Sequence, residues 1–432
     1  MILIPADPHQ PLATLRIQAA IDQAAQQGGG QIVLGPGLHL CGTLVLKDHI
    51  DLHLEAGAHL KASPNPEDFL QVQIAGCYGG NAGGFLLQAH DAVSISVTGP
   101  GTIDGSALDY MDGWWVDPYI RAPKAWRPRG IGFFGCKQVR LQDFTFRDSA
   151  SWTIHLTGCD DVLASGLHIL NRLDVPNCDG IDPDHCRNVR IIGCHIEAAD
   201  DGIVLKNTKE YEDQGPCENI AISNCTIIST SAAIKLGTES ACDFRQISVD
   251  NCVIHSSHRG LAIQLRDTGT IENVSFSNCI VRTRLFHEKY WGRAEPIYVT
   301  SVPRNDGDPS GKIRNIRFHN IDCQSENGVF LTGTPESPLE DIRLHHVRVR
   351  LVNDSKWPGG QHDYRPTHGK EHGGLESHPT HGMYVANAKG VLLDDVAANW
   401  TDEKPEWAAN TLLATQSVED LEIRNSPSLT TD

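Results

Sequence analysis

Cations are scarce in this chain. Lys and Arg together number 36 against 54 Asp and Glu, a formal net charge of −18. A general basic surface is therefore absent, and nucleic acid is not an expected partner. No run of eighteen apolar residues occurs, so no membrane-spanning helix is expected. The 13 cysteines include no Cys-x-x-Cys pair and are odd in number. That disfavours a zinc site and a disulfide framework, and points to reduced, buried thiols. The N-terminus, Met1 to Asp7, lacks the basic region and long apolar run of a signal peptide. A cytoplasmic location is expected, or secretion if a leader has been removed. Aromatics are only 6%, whereas Gly numbers 40. This suits many short strands and tight bends better than a helical bundle. With 40% hydrophobic residues, the 432-residue chain can build a large core.

What the chain does have is a repeat. Val189, Ile191, Cys194 and Ile196 set apolar residues at offsets 0, 2, 5 and 7. The pattern recurs in copies starting at Val139, Val162, Ile220, Ile247, Val274, Ile316, Ile342 and Val391, with weaker copies at Ile50, Val93 and Leu421. Offsets 0 and 2 share one face of a strand, and offsets 5 and 7 share one face of a second. Offset 4 holds Asn224, Asn251, Asn278 and Asn320 in four copies. Asn tolerates the left-handed conformation of a sharp bend. Each unit therefore reads as strand, bend, strand. Copies lie as close as 23 residues apart, too few to bury an apolar face alone, so units must stack on their neighbours. The expected fold is an all-β, right-handed parallel β-helix forming one domain over 1–432. Cys194, Cys225, Cys252 and Cys279 share offset 5 and should form a buried, inert ladder.

A solenoid end is a raw sheet edge and needs a cap. Thr14 can N-cap a helix carrying Ile17, Ala20, Ile21, Ala24 and Ala25 on one face, stopped by Gly28-Gly29-Gly30. Residues 104–130, 282–315 and 350–388 are too long for simple turns and are expected to build a binding face.

Two segments concentrate carboxylates at turn positions. One is Asn177-Cys178-Asp179-Gly180-Ile181-Asp182, the other Ala199-Asp200-Asp201-Gly202-Ile203. Asp179 precedes Asp201 by 22 residues, about one coil, so the segments should stack and gather three carboxylates. Like charges at close range push at least one carboxyl toward its protonated form. A protonated carboxyl beside ionised ones is what acid/base cleavage of a glycosidic bond requires. An Asp-rich turn or a calcium site is the structural alternative. Strand parity would turn Asp201 inward with Ile203 and Leu205, unless both acids sit on the bend before the strand starts.

At these residues the chain resembles glycoside hydrolase family 28, the polygalacturonases and relatives. The resemblance runs through Gly28-Gly29-Gly30-Gln31-Ile32-Val33-Leu34, Leu52-His53-Leu54-Glu55-Ala56-Gly57-Ala58, Gly99-Pro100-Gly101-Thr102-Ile103-Asp104-Gly105 and Ser151-Trp152-Thr153-Ile154-His155. It is most specific at Asn177 to Asp179 and at Asp200-Asp201. It implies a right-handed parallel β-helix and single-displacement hydrolysis with inversion. Asp200 would protonate the leaving oxygen, and Asp179 and Asp201 would position and deprotonate the attacking water. No cofactor and no metal are implied. Trp152 and Asn177 join the substrate-binding candidates. The family's Gly-His-Gly falls on Ser231-Ala232-Ala233, so its histidine is Ala232. Its Arg-Ile-Lys, which holds the substrate carboxylate, falls on Ala262-Ile263-Gln264. Lys206, Lys235, Arg259 and Arg266 are the cations that could compensate. Parity places Lys235 on the face opposite to Ile234 and Leu236.

The expected activity is cleavage of α-linked galacturonic acid or a related pectic oligosaccharide, in an exo fashion if the long loops close one end of the cleft. A β-helix polysaccharide lyase and a non-catalytic carbohydrate-binding solenoid are the alternatives. Lys206 and Lys235 suit the lyase, and the altered histidine and cation positions suit the binder. Residues 362–381 hold His362, His368, His372, His378 and His381, whose spacing matches no metal-ligand pattern, so a solvated or substrate-facing loop is expected. Trp114 and Trp115 follow Asp112-Gly113. Stacking on a sugar ring and packing under a loop are both open for them.

Overall fold

The computed structural model describes residues 1–9, 12–73, 82–305, 307–365, 374–401 and 403–429. Two compact units make up the chain: Met1–Ile203 with Asp213–Gly215, and Val204–Glu212 with Pro216–Asp432.

Left-handed residues set the path of the backbone in both units. Asn224, Asn251, Asn278 and Asn320 have φ of 57°, 52°, 54° and 54°. These are the offset-4 bends that the repeat requires, where a β-branched residue would be strained. The side chains add to the turns: Asn251 Nδ2 donates to Asn224 Oδ1 at 2.6 Å, and Asn320 Nδ2 to Asn278 Oδ1 at 2.8 Å.

In the first unit each coil carries three strands rather than two. One coil is Ile154–Thr157, Asp160–Ser165 and His168–Leu170; the next is Ile181–Asp184, Arg187–Ile192 and His195–Ala198. They pair in parallel, with Ile154 on Ile181, Val162 on Val189 and Ile169 on Ile196. The repeat captured only the last two strands of each coil. The first has no shared apolar motif, and it is preceded by the segments that carry the aspartates.

In the second unit the same columns run from Ile220 through Ile247, Val274, Ile316 and Ile342 to Val391, again in parallel register. The inward side chains in these columns are almost wholly buried. Parallel strands stacked this way form a parallel β-helix, whose core is the filled interior of the coils.

Three expectations shift. The weak copy placed at Val93 starts at Ile95, because Arg140 pairs with Ser96 and Leu141 with Val97. Thr14 is the first residue of the helix Thr14–Gln26 rather than its cap; Ala13 holds the cap position. Thr14 Oγ1 instead accepts from Gly42 N at 2.9 Å, while Ile17, Ala20, Ile21 and Ala24 are the buried face. The long gaps also contain structure. Residues 104–130 hold the ribbon Met111–Val116/Ile120–Pro123, 282–315 hold the strand Ile297–Ser301, and 350–388 hold the ribbon Gln361–Asp363/Leu375–Ser377.

Cys225, Cys252 and Cys279 lie buried on successive coils, each thiol donating to the carbonyl two residues before it at 3.1–3.3 Å. A hydrogen bond with Cys225, reinforced by burial, pushes the Cys252 thiol up to about 12. Among the described cysteines only Cys242 reaches solvent appreciably. Brief labelling of the native protein with a thiol reagent, followed by peptide mapping, should therefore modify Cys242 first among them. Early modification of Cys252 or Cys279 would contradict the ladder. Among the described residues no helix is long and apolar enough to cross a membrane.

Candidate active site

The acids lie where two turns of the first unit stack. Gly180 N donates to Asp201 O at 2.9 Å and Ile181 N to Gly202 O at 3.0 Å, which puts the Asp179 turn one coil from the Asp200-Asp201 turn. Glycine is needed at this contact: a Cβ on Gly180 would stand 2.4 Å from the Gly202 carbonyl oxygen. The following strands begin at Ile181 and Ile203. Asp200 and Asp201 thus precede the strand, on the bend, and inward parity does not bind Asp201.

Oxygens of Asp179, Asp200 and Asp201 all lie within 4.8 Å of one another. The residues are 2%, 7% and 1% exposed. Two full charges at that distance repel by roughly 3 kcal/mol at an effective dielectric of about 20. Among the described residues this is the one group of His, Cys, Asp or Glu side chains placed to hold a metal ion.

The turns are held from behind. Asn177, at φ 56°, uses the left-handed tolerance of Asn. Its Oδ1 accepts from Arg127 Nη2 at 2.7 Å, and its Nδ2 donates to Asp200 Oδ2 at 3.4 Å. Asp200 Oδ1 accepts from Asp201 N at 3.0 Å. Buried Asn171 donates to the Cys178 carbonyl at 3.1 Å, and Cys178 Sγ accepts from Ala199 N at 3.3 Å. Burial pushes the Cys178 thiol well above its ordinary range, so it packs rather than reacts. Sequence reasoning missed Arg127 and Asn171. Arg127 reaches Ala150 O, Pro176 O and Asn177 across 23 to 50 residues, and Asn171 bonds a main-chain carbonyl, so no local motif announces either.

The other candidates are placed differently. Trp152 is 5% exposed and lies beneath the Arg129 guanidinium, 3.9 Å from ring centroid to Cζ, with His155 edge-on. Arg129 donates to His155 Nδ1 at 2.9 Å, so the imidazole proton sits on Nε2, toward Asp184 Oδ2 at 3.3 Å. Trp152 is thus a packed platform rather than an open stacking face.

In the second unit, Lys206 is buried, with Nζ 3.3 Å from Glu239 Oε2. Burial opposes ionisation of Glu239, but Lys206, Lys235 and Arg304 outweigh it and hold the carboxyl well below its usual range. Lys235 is half-exposed between fully buried Ile234 and Leu236, as parity requires, and pairs in register with Ala262.

Arg259 and Arg266 differ from the expectation of substrate-facing cations. Arg259 lies over Tyr298 at 3.8 Å, and bonds Asp363 Oδ2 at 2.7 Å and Glu295 Oε2 at 3.3 Å. Arg266 is fully buried and donates to Leu265 O and Thr300 Oγ1, both at 2.9 Å. Tyr298, Phe330 and Tyr384 stack in a buried ladder with Ala232 and Ala262. His362 packs against Phe330 and stacks on His378 at 3.9 Å. Burial and the neighbouring His378 and His381 bring the His362 imidazole down to about 3, leaving it neutral. His368 and His372 lie outside the described residues.

The model of the family described as glycosyl hydrolases family 28 matches residues 80–358. A probable polygalacturonase of Vitis vinifera is 30% identical over 53% of this chain, which spans about half (49%) of that relative's length. An endo-polygalacturonase of Pectobacterium carotovorum subsp. carotovorum is 25% identical over 80% of this chain and 85% of its own. Among solved structures, the Yersinia enterocolitica family 28 exopolygalacturonase superposes with a TM-score of 0.73 at 19% identity, covering 97% of this chain and 78% of its own. That likeness bears on the fold. The chain belongs to glycosyl hydrolases family 28, a family of glycosidases.

Proposed function

We propose that this protein hydrolyses α-linked galacturonic acid or a related pectic oligosaccharide, acting from a chain end and with inversion. The observation that carries the reading is the buried trio Asp179, Asp200 and Asp201, with oxygens within 4.8 Å. Asp200 acts as the acid that protonates the leaving oxygen; Asp179 and Asp201 hold and deprotonate the water. The pair of carboxylates in an inverting glycosidase is usually about 6.5–9.5 Å apart, with the water between them. The 4.8 Å limit holds for one oxygen of each residue, so the anomer first released is the measurement that tests inversion. Asn177 and Arg127 fix the orientation of Asp200. Lys235, half-exposed beside Ala262, is the cation we assign to a uronate carboxylate, with Lys206 held in place by Glu239. Names of relatives support the sugar class, and the exopolygalacturonase likeness suits chain-end action. The helix Thr14–Gln26 serves as the cap of the N-terminal coil.

The test is turnover by the purified protein on oligogalacturonides, rhamnogalacturonan fragments and neutral pectic oligosaccharides. Reducing ends, unsaturated-product absorbance and the anomer first released, by proton NMR, are followed together. Monosaccharide release with inverted anomer and flat absorbance is the expected outcome. Rising absorbance would make the protein a lyase, a retained anomer would overturn inversion, and silence would leave a sugar-binding solenoid.

A further inference from the structure

We propose that the ribbon Met111–Val116/Ile120–Pro123 is a glycan-gripping platform, with Trp114 and Trp115 as the rings on which sugar residues of a bound chain stack. The proposal extends the reading above, and the ligand class rests on it.

Exposure is the first observation. Trp114 is 40% and Trp115 58% exposed, whereas the other six of the chain's eight tryptophans are buried or half-buried. Indole is the largest apolar side chain and is highly buried on average, so two adjacent exposed rings mark a binding surface more than a packing accident. Their neighbours on the ribbon, Asp112 and Asp117, are also exposed. A broad indole face matches the apolar C–H face of a pyranose.

Rigidity is the second. A two-stranded ribbon has too little core to be stable alone, yet this one is pinned at several points. Trp114 pairs with Arg121 across the ribbon, and the Arg121 guanidinium lies 4.6 Å from the Trp114 ring centroid. Arg121 Nε bonds Asp174 Oδ2 and Arg121 N bonds Asp174 O, both at 2.8 Å. Ile120 is fully buried. Gly113, at φ 71°, lies where the pairing register shifts between Met111 and Trp114. The register shifts again between Trp114 and Val116, and such breaks in pairing re-aim side chains.

Position is the third. Tyr110 and Met111, at the root of the ribbon, pack in one buried cluster with Cys178 and Ala199. Those two residues immediately precede Asp179 and Asp200. The platform is therefore rooted in the packing that holds the acids, all within the first unit. A rigid element carrying exposed rings and anchored at the acid-bearing turns is suited to holding the remainder of a chain whose end is being cut.

The experiment is an isothermal calorimetric titration with a graded series of oligogalacturonides, whose heat of binding does not depend on the rings as reporters. It uses the Asp200→Asn protein, which retains the rings, and the same protein with Trp114→Ala and Trp115→Ala. The result expected is a saturable response that strengthens with chain length and weakens about tenfold or more when both rings are removed. Trp115→Phe should restore part of the binding, and melting temperatures should be unchanged. In the catalytically intact background, KM should rise with the double substitution, more for long chains than for short ones. Equal affinity with and without the rings would overturn the proposal, as would loss of affinity independent of chain length. So would self-association that disappears with the rings while glycan binding persists. Because binding is read directly, absence of turnover on this series counts against the proposed hydrolysis and leaves the platform to be decided by the titration.

Discussion

Replacing Asp200 by Asn should abolish measurable turnover, lowering kcat by about 10²–10⁴-fold, the usual contribution of a positioned general acid. Sugar binding should survive. The substitution preserves shape, and the new amide oxygen can still accept the Asp201 N–H bond of 3.0 Å. The long 3.4 Å bond from Asn177 Nδ2 to Oδ2 is lost. Because the amide is far too weak an acid to protonate a leaving oxygen, the loss should appear in kcat rather than KM. Asp179→Asn and Asp201→Asn should be comparably severe, and the double variants little worse than the single ones, since the three groups act as a unit. Single-turnover and steady-state rates on the substrate identified above are the measurements. Unchanged turnover in Asp200→Asn would remove it as the acid.

The second large effect is on stability. Asp363 is fully buried. Its Oδ2 accepts from Arg259 Nη2 and Arg365 Nη2 at 2.7 Å and from Gly292 N at 3.2 Å, while Oδ1 accepts from Arg365 Nε at 2.8 Å. Asp363→Ala leaves two guanidinium groups without this partner. Breaking one side of a buried ion pair costs about 3–5 kcal/mol, so the urea midpoint of the second unit should fall markedly.

The pH dependence follows from the same contacts. Burial alone would raise the Asp363 pKa, but Arg365 and Arg259 outweigh it and hold the carboxyl well below the usual carboxylate range. A pKa depressed on folding adds stability above the unfolded value of about 3.9 and loses it as pH falls below that. Unfolding midpoints of the unsubstituted protein should therefore drop on acidification below about pH 4, and the drop should be shallower in Asp363→Ala. Parallel acid profiles for the two proteins would refute this role. Here Arg259 serves to hold the ribbon Gln361–Asp363/Leu375–Ser377 and the segment around Gly292 together, a role its position in the sequence does not suggest.

Legibility followed the range of the interactions. Val139, Val162 and Val189 align in the structure as they do in the repeat, because inward columns impose one apolar pattern on every coil. The Asn bends at offset 4 were legible because few residue types tolerate left-handed backbone. The acid trio was legible because Asp179 and Asp201 lie one coil length apart, so that stacking alone brings them together. The bend just before offset 0 was less so. Asn188, Asn219, Asn273 and Asn315 hold this second left-handed position in four copies, as often as Asn holds offset 4, but the break in the apolar period, which is what makes a bend visible in sequence, falls at offset 4.

Sequence by itself thus determined the coil, its inward columns and the meeting of three carboxylates, all consequences of a short repeat stacking on itself. Tertiary structure decided the rest. It tied Arg259 to Asp363 across 104 residues, enclosed Arg266 and Trp152, and rooted an exposed pair of tryptophans beside Cys178 and Ala199. Which charges are neutralised and which rings meet water depends on loops that follow no repeat, and so on contacts that only the folded chain creates.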